Sequence, residues 1–383
     1  MARLCSELSE RNHQVTLITL DNGSQDRHFV LPSVQRIRLD VLGQSKESNL
    51  RPLRGLRRVL GALRRIAQMR RTFKSISPDV ILSFCDQMNV MTLIAATRTT
   101  IQVIICERSD PRHQRLPKFW ERLRSATYPK ASKVVALTDE VANHLRQYYR
   151  ADALVIPSAI DVPNSHSSRD IATHHKTMIA IGRLEEEKGF ERLIQAFAKI
   201  ASQQSEWTLH IIGDGSMRNP LGFLIKQLKL EQRVLMTGWV AQPWEQYSNS
   251  TLFILPSLYE GFPSVLMEAM ARGVPSISVD CDSGPRAIID RVSQEGKSPP
   301  ALLVSNDQAG LAAGMQKLMT DAKLREAIGQ AGKEVAKQFG WTEMVNQYET
   351  LLLELQSGQV EPEKESVAQG VRNDFSDGRI QNG

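Results

Sequence analysis

Cysteine is scarce in this chain of 383 residues: Cys5, Cys85, Cys106 and Cys281 lie far apart, with no pair at metal-ligand spacing. That scarcity argues against a disulfide scaffold or a zinc module and predicts a reduced, cytoplasmic protein. Cys85 and Cys106 sit beside apolar runs with no base partner near them, so they are expected in the core rather than as nucleophiles. Aromatic residues make up only 6% of the chain and do not interleave with basic ones, which disfavours a nucleic-acid partner. No apolar run approaches the roughly 18–20 residues that span a bilayer. The opening residues, MARLCSELSERNHQ, are charged and amphipathic and carry no secretory signal.

Acid is missing from one stretch altogether. Arg51 to Lys74 holds nine Lys or Arg and no Asp or Glu, while the other 39 basic residues face 42 acidic ones. Leu53, Leu56, Leu60, Leu63, Ile66 and Phe73 fall there at helical spacing, which predicts a basic amphipathic helix. Its charged face is either a solvated surface or a site of attraction to anionic lipid headgroups, at about 1 kcal/mol per basic residue near such a surface.

Short β-branched runs alternate with helical stretches along the rest of the chain. QVTLITL (14–20), DVILSF (79–84), QVIICE (102–107) and KVVALT (133–138) read as buried parallel strands. The pattern breaks in a piece rich in Pro, Ser and His, read as a linker over residues 161–176. A second series follows: strands TMIAIGRL, WTLHIIGDG, RVLMTGW, TLFILPS and VPSISVD, with helices GFERLIQAFAKIA and LGFLIKQLKL and one carrying Glu268. The predicted architecture is two doubly wound α/β domains facing a cleft, over residues 1–160 and 177–340. A helix over 341–356 packs back toward the first domain, and a polar tail over 357–383 is expected to be disordered. The first domain is expected to be incomplete, because the chain starts inside a helix where a strand and a glycine turn would be anticipated.

The segment PSLYEGFPSVLMEAMARG, residues 256–273, sets Glu260 on a turn and Glu268 on the helix that follows. Pro263 suits a helix start, and the free N–H groups of the first helical turn suit an anion. Two acids eight residues apart are by themselves a capping acid and a surface acid. GRLEEEKG adds Arg183 and Lys188 after another strand, two cations suited to a diphosphate. IIGDGS adds Gly213 and Gly215 after a third, where a backbone can come close.

Gly182–Arg183, Lys188–Gly189, Gly213–Asp214–Gly215, Pro256–Ser257, Glu260–Gly261–Phe262, Glu268–Ala269 and Gly273–Val274–Pro275 together resemble the retaining glycosyltransferases of family 4, of GT-B fold. The likeness covers Met178 to Leu355 and is looser before it. It implies that Arg183 and Lys188 bind a donor diphosphate, that Glu268 holds the ribose, and that Glu260 contacts the donor sugar near the reacting carbon. Gly261, Phe262, Pro263 and Ser264 then form the donor-side helix start, and Trp239 and Val240 match the base-binding segment. Glu107, Arg108 and Asp110, in CERSDPRHQ, are candidate sugar contacts; the bland alternative for Asp110 is a cap before Pro111. The first strand's glycine loop, which faces the donor phosphates in this family, has no counterpart, and Ala287 stands where the family often has Glu.

The resemblance implies transfer of a sugar from a nucleotide diphosphate donor, of uracil type, to a hydroxyl, with retention; the basic helix, suited to a membrane surface, points to a lipid-linked oligosaccharide or polysaccharide precursor as the acceptor. The protein would work on the inner face of the cytoplasmic membrane as a peripheral enzyme, with no cofactor and no metal. Asp280 and Asp282 form an Asp-x-Asp that holds metal in another class of transferase; here it reads as loop chemistry. His174 and His175 read as solvated. Two alternatives stay open: a nucleotide-sugar epimerase of the same architecture, and a catalytically silent, membrane-associated nucleotide-sugar-binding protein.

Overall fold

The computed structural model describes residues 1–22, 30–41, 54–114, 116–161, 176–241, 243–281, 284–292 and 298–357. The expected linker and tail fall outside these, apart from Asp161, Lys176 and Ser357.

The chain opens on α1 (Ala2–Glu10), the amphipathic helix expected there, which buries Leu4 and Leu8. β1 (Thr16–Thr19), β2 (Gln35–Arg38) and α2 (Arg54–Ile76) follow. Next come β3 (Val80–Phe84), α3 (Asp86–Ala96), β4 (Gln102–Cys106), α4 (Lys118–Thr127), β5 (Lys133–Ala136), α5 (Asp139–Tyr149) and β6 (Ala153–Val155). β1 pairs in parallel with β2, and β3-β4-β5-β6 form a separate parallel sheet in that order. The four runs read as strands in the sequence are β1, β3, β4 and β5. β2 (QRIR) and β6 (ALV) escape a pattern search because one is half charged and the other has three residues.

The second half runs β7 (Thr177–Ile181), α6 (Phe190–Ala201), β8 (Thr208–Ile212), α7 (Arg218–Gln227), β9 (Val234–Gly238) and α8 (Trp244–Ser248). It continues with β10 (Leu252–Leu255), α9 (Ser264–Ala271), β11 (Ser276–Val279), α10 (Pro285–Val292), β12 (Leu302–Val304), α11 (Gln308–Thr320) and α12 (Ala322–Ala336). α13 (Trp341–Ser357) ends the described chain. All six strands are parallel, in the order β12-β11-β10-β7-β8-β9. Helices cover both faces, which is why these strands are continuous apolar runs rather than alternating ones. α6 turns Phe190, Leu193, Ile194, Phe197 and Ile200 into that core. Asp307 and Asp321 cap α11 and α12 by accepting from Gly310 N–H (2.7 Å) and Leu324 N–H (2.9 Å).

The strand order reverses between β7 and β10. In open parallel sheets the crevice outside the carboxyl ends of the strands at such a reversal is where ligands bind.

α13 returns to the first half. Met344, Val345, Tyr348 and Leu351 pack with Leu4, Leu8, Ile104 and Val135. Glu349 fixes the crossing by accepting from Arg11 (2.6 Å) and pairing with His13 Nε2 (2.8 Å). The two crossings are tied where Ile160 N–H donates to Phe339 O, 2.9 Å.

α2 divides along its length. Met69 and Phe73 are buried against Met91 and Ala95, and Arg70 caps α3 by donating to Ile94 O (2.7 Å) and Ala95 O (3.0 Å). Val59, Leu60 and Leu63, toward its start, are exposed, the two leucines by more than half. Among the described residues no helix is long and apolar enough to cross a membrane.

Candidate active site

Gly182 and Gly213 follow directly on the neighbouring strands β7 and β8, and Gly238 is the last residue of β9. Gly182 N–H donates to Ile212 O (3.0 Å) and Gly213 N–H to Gly238 O (2.9 Å). Gly213 has φ +144°, and a Cβ there would stand 1.8 Å from Gly182 O. A Cβ on Gly215 would stand 2.5 Å from Leu184 O. The backbone that comes close to these glycines is therefore that of the adjacent strand-end loop. Trp239 follows, 60% exposed, and Val240 packs into the core beneath.

Arg183 and Lys188 share the loop after β7 but not an environment. Arg183 is exposed and donates to Glu187 (3.1 Å). Lys188 is largely covered, and its ammonium donates to Glu260 Oε1 at 2.7 Å. Ser257 Oγ donates to the same oxygen at 2.6 Å. The pair spans the reversal between β7 and β10. Two further contacts zip the loops there: Leu258 N–H donates to Glu187 O (2.8 Å), and Arg192 donates to Pro256 O (2.8 Å). Gly189, at φ +68°, has no room for a Cβ, which would lie 2.1 Å from Pro256 O.

α9 begins at Ser264, with Pro263 before it. Ser264 N–H is occupied by Phe262 O (2.9 Å), so the helix start has fewer free donors than a bare first turn. Phe262 is buried and packs on Phe339. Glu268 leans toward α8, where Tyr247 Oη donates to its Oε2 at 3.0 Å. Burial pushes the Glu268 carboxyl above its ordinary value and Asp161 adds to this, while Tyr247 and Arg272 pull it down. Tyr247 and Glu187 carry no sequence signal of a role here; Ser257 stands in the motif set, three residues before Glu260, and its hydrogen bond to that carboxylate gives it one.

The first half meets this site after β4. Glu107 is fully buried: Tyr128 Oη donates to its Oε2 and Ser109 Oγ to its Oε1, both 2.8 Å. Burial drives its carboxyl upward against the pull of Arg124, Tyr128 and Ser109. Asp110, also buried, accepts from Arg112 N–H (2.9 Å) and from its guanidinium (2.7 Å); it closes a turn and caps no helix, since α4 starts only at Lys118. Of the three candidate sugar contacts, Arg108 is the exposed one. It lines a cavity of about 150 Å³ with Phe84, Cys85, Trp341 and Tyr348. Cys85 departs from its expected core position: it leaves β3 at φ 75° and is exposed. Cys106 is buried, with its thiol pushed up to about 12.

The halves touch beside Glu260. A Cβ on Gly261 would lie 3.0 Å from Arg108 O. His113 stacks on Tyr259 with centroids 5.0 Å apart and planes 9° from parallel. Asp280 is held by both nitrogens of an Arg286 fork; Asp282, His174 and His175 lie outside the described residues. Among the described residues no cluster of three or more His, Cys, Asp or Glu is placed to hold a metal ion.

Two parallel α/β halves enclosing a cleft, with the second half's switch point on it, are the GT-B architecture. The chain resembles sucrose-phosphate synthase from Thermosynechococcus elongatus at TM-score 0.77 and 18% identity, over 93% of this chain and 92% of that one. Residues 161–335 match the family model "Glycosyl transferases group 1" and residues 1–159 match "Glycosyl transferase 4-like domain". The chain belongs to the family 4 glycosyltransferases. It is 25% identical, over 92% of both chains, to the Campylobacter jejuni GalNAc-alpha-(1->4)-GalNAc-alpha-(1->3)-diNAcBac-PP-undecaprenol alpha-1,4-N-acetyl-D-galactosaminyltransferase. It is 31% identical over 78% of its length to an exopolysaccharide phosphotransferase of Streptomyces coelicolor, of which the match spans 31%. Against the first four relatives matched, it spans between 31% and 62% of their length.

Proposed function

We propose that this protein transfers a hexosyl or N-acetylhexosaminyl group from a uridine diphosphate sugar to a hydroxyl of a lipid-linked oligosaccharide or polysaccharide precursor, with retention. The observation that carries the proposal is the Lys188–Glu260 pair, 2.7 Å across the switch point, with Arg183 five residues before Lys188. In this assignment Arg183 and Lys188 take the diphosphate and hold the charge that grows on it as the glycosidic bond breaks. That charge stabilisation is commonly the largest catalytic contribution. Two cations and the start of α9 do for the diphosphate what a metal does elsewhere, so no metal is assigned.

Glu260 contacts the donor sugar, Glu268 the ribose, and Trp239 with Val240 the base. Gly261 through Ser264 form the donor-side wall, and Gly213 and Gly215 the floor. On the other side of the cleft Arg108 is placed for sugar, while Glu107 and Asp110 act through the loop they hold. The Campylobacter relative's name specifies an undecaprenyl-diphosphate-linked acceptor, which supports a lipid-linked glycan here. Leu60 and Leu63, exposed on a helix free of acid, support seating on an anionic membrane at the inner face of the cytoplasmic membrane. Calorimetry with uridine diphosphate tests the central assignment: binding is expected in the wild type and weakened in Arg183→Ala and in Lys188→Ala. Wild-type affinity in both variants would remove the diphosphate from this loop.

A further inference from the structure

Tyr247 belongs to none of the motifs that mark the donor side, yet it is the residue that grips Glu268. It comes from α8, a helix of five residues, and is fully buried. Its ring packs against Phe253 and Trp244, with centroids 5.9 Å and 6.4 Å away. The hydroxyl lies 3.0 Å from Glu268 Oε2 and 3.1 Å from Val265 O. A phenol has one hydrogen to give, and an ionised carboxylate is the stronger acceptor. Burial holds the hydrogen on the phenol and the Glu268 charge adds to that hold. Arg272, one turn on from Glu268, lies over the Trp244 ring at 5.2 Å, so α8 and α9 are clasped on both sides of the carboxylate.

We propose that Tyr247 is a positioning residue: by holding Oε2 it fixes the Glu268 rotamer, so that Oε1 faces the vicinal diol of the donor's ribose. Among the described residues Oε1 has no hydrogen-bond partner. An untethered glutamate on a helix must lose its side-chain freedom when it meets a ligand, and a tether removes most of that loss beforehand. The proposal rests on the ribose assignment of Glu268 made above.

The test compares nucleoside diphosphates with their 2′,3′-dideoxy analogues by calorimetry. The uridine, cytidine, adenosine and guanosine forms are screened, and the pair that binds tightest is carried forward. Four proteins are measured: wild type, Tyr247→Phe, Glu268→Gln and the double variant. The wild type is expected to prefer the ribose form by about tenfold or more, the scale of a hydrogen bond to a charged group. Tyr247→Phe should lose most of that preference while binding the dideoxy form as the wild type does. In the Glu268→Gln background the same change should have no effect on the preference. In transfer assays Tyr247→Phe should raise the donor KM at unchanged kcat. Full preference retained in Tyr247→Phe overturns the proposal, as does an equal loss for both nucleotides, which marks a merely structural tyrosine. A wild type that binds both forms alike, or binds none, overturns the ribose assignment itself and the tether with it.

Discussion

Where β4 ends, the first half buries Glu107, Arg124 and Tyr128 beneath the loop that carries Arg108. Where β7, β8 and β9 end, the second half offers Gly182, Gly213 and Gly238, and at Gly213 the backbone of Gly182 lies in direct contact. One side of the cleft is shaped by charged side chains taken out of water, the other by leaving side chains out. The first device stabilises only when every partner is present, since a buried charge stripped of its partner costs far more than the pair contributes. The second involves no charge, and at Gly213 it admits no Cβ. A loop that must place one long cation suits the former, and a floor that must let several loops converge suits the latter.

The largest expected effect comes from breaking the charged side. Arg124 is fully buried, with Asp86 and Glu121 each at 3.5 Å and Glu107 nearby. Arg124→Ala should lower stability by about 3–5 kcal/mol, the scale for unpairing a buried charge, read by urea unfolding. The glycine side should yield less: Gly213→Ala forces a backbone shift at φ +144° and should cost about 1–3 kcal/mol, in the same assay. Equal losses in the two variants would erase the distinction drawn between the two sides.

Arg183→Ala sharpens the contrast differently. The residue is 72% exposed, so stability should move by less than about 0.5 kcal/mol. Binding of uridine diphosphate should weaken by about 1.5–3 kcal/mol, read by calorimetry. On α2, Leu60→Ser with Leu63→Ser should leave unfolding unchanged and reduce cosedimentation with anionic vesicles. Added salt should reduce it in the wild type as well; unchanged cosedimentation in both experiments removes membrane seating.

The smallest effect is one of pH. Burial raises the Glu268 carboxyl above its ordinary value, so its acceptor form is complete only above that raised value and is lost as pH falls through it. Nucleotide affinity should therefore decline toward acid in the wild type. Glu268→Gln, uncharged throughout, should show a flatter profile over the same window, by calorimetry at matched ionic strength.

The parallel strands were legible because burial on both faces leaves them as unbroken apolar runs, and α9 because Pro263 and the apolar run after it announce a helix. β2 and β6 were not, being too short or too charged to carry a period. The Lys188–Glu260 pair could be anticipated as two residues of one motif set, though not as a contact, since 72 positions separate them. Glu107 and Asp110 were legible as a polar segment after a strand; that they would lie under the loop depended on Tyr128 and Arg112 turning toward them. Tyr247 was illegible because its helix has five residues and its partner lies 21 positions on.

The ion pair at the switch point also decides how the cleft greets an anion. Arg183 and Lys188 already have Glu187 and Glu260 as counter-ions, so the loop carries little unbalanced positive charge. An entering anion has to displace carboxylates rather than fill a vacancy, as on an ion-exchange resin. A single phosphate or sulfate, reaching one cation at a time, gains little from such an exchange. A diphosphate carries enough charge to take over both cations together, and it frees Glu260 as it does so. On the proposed diphosphate assignment, discrimination against small anions would precede recognition of the sugar.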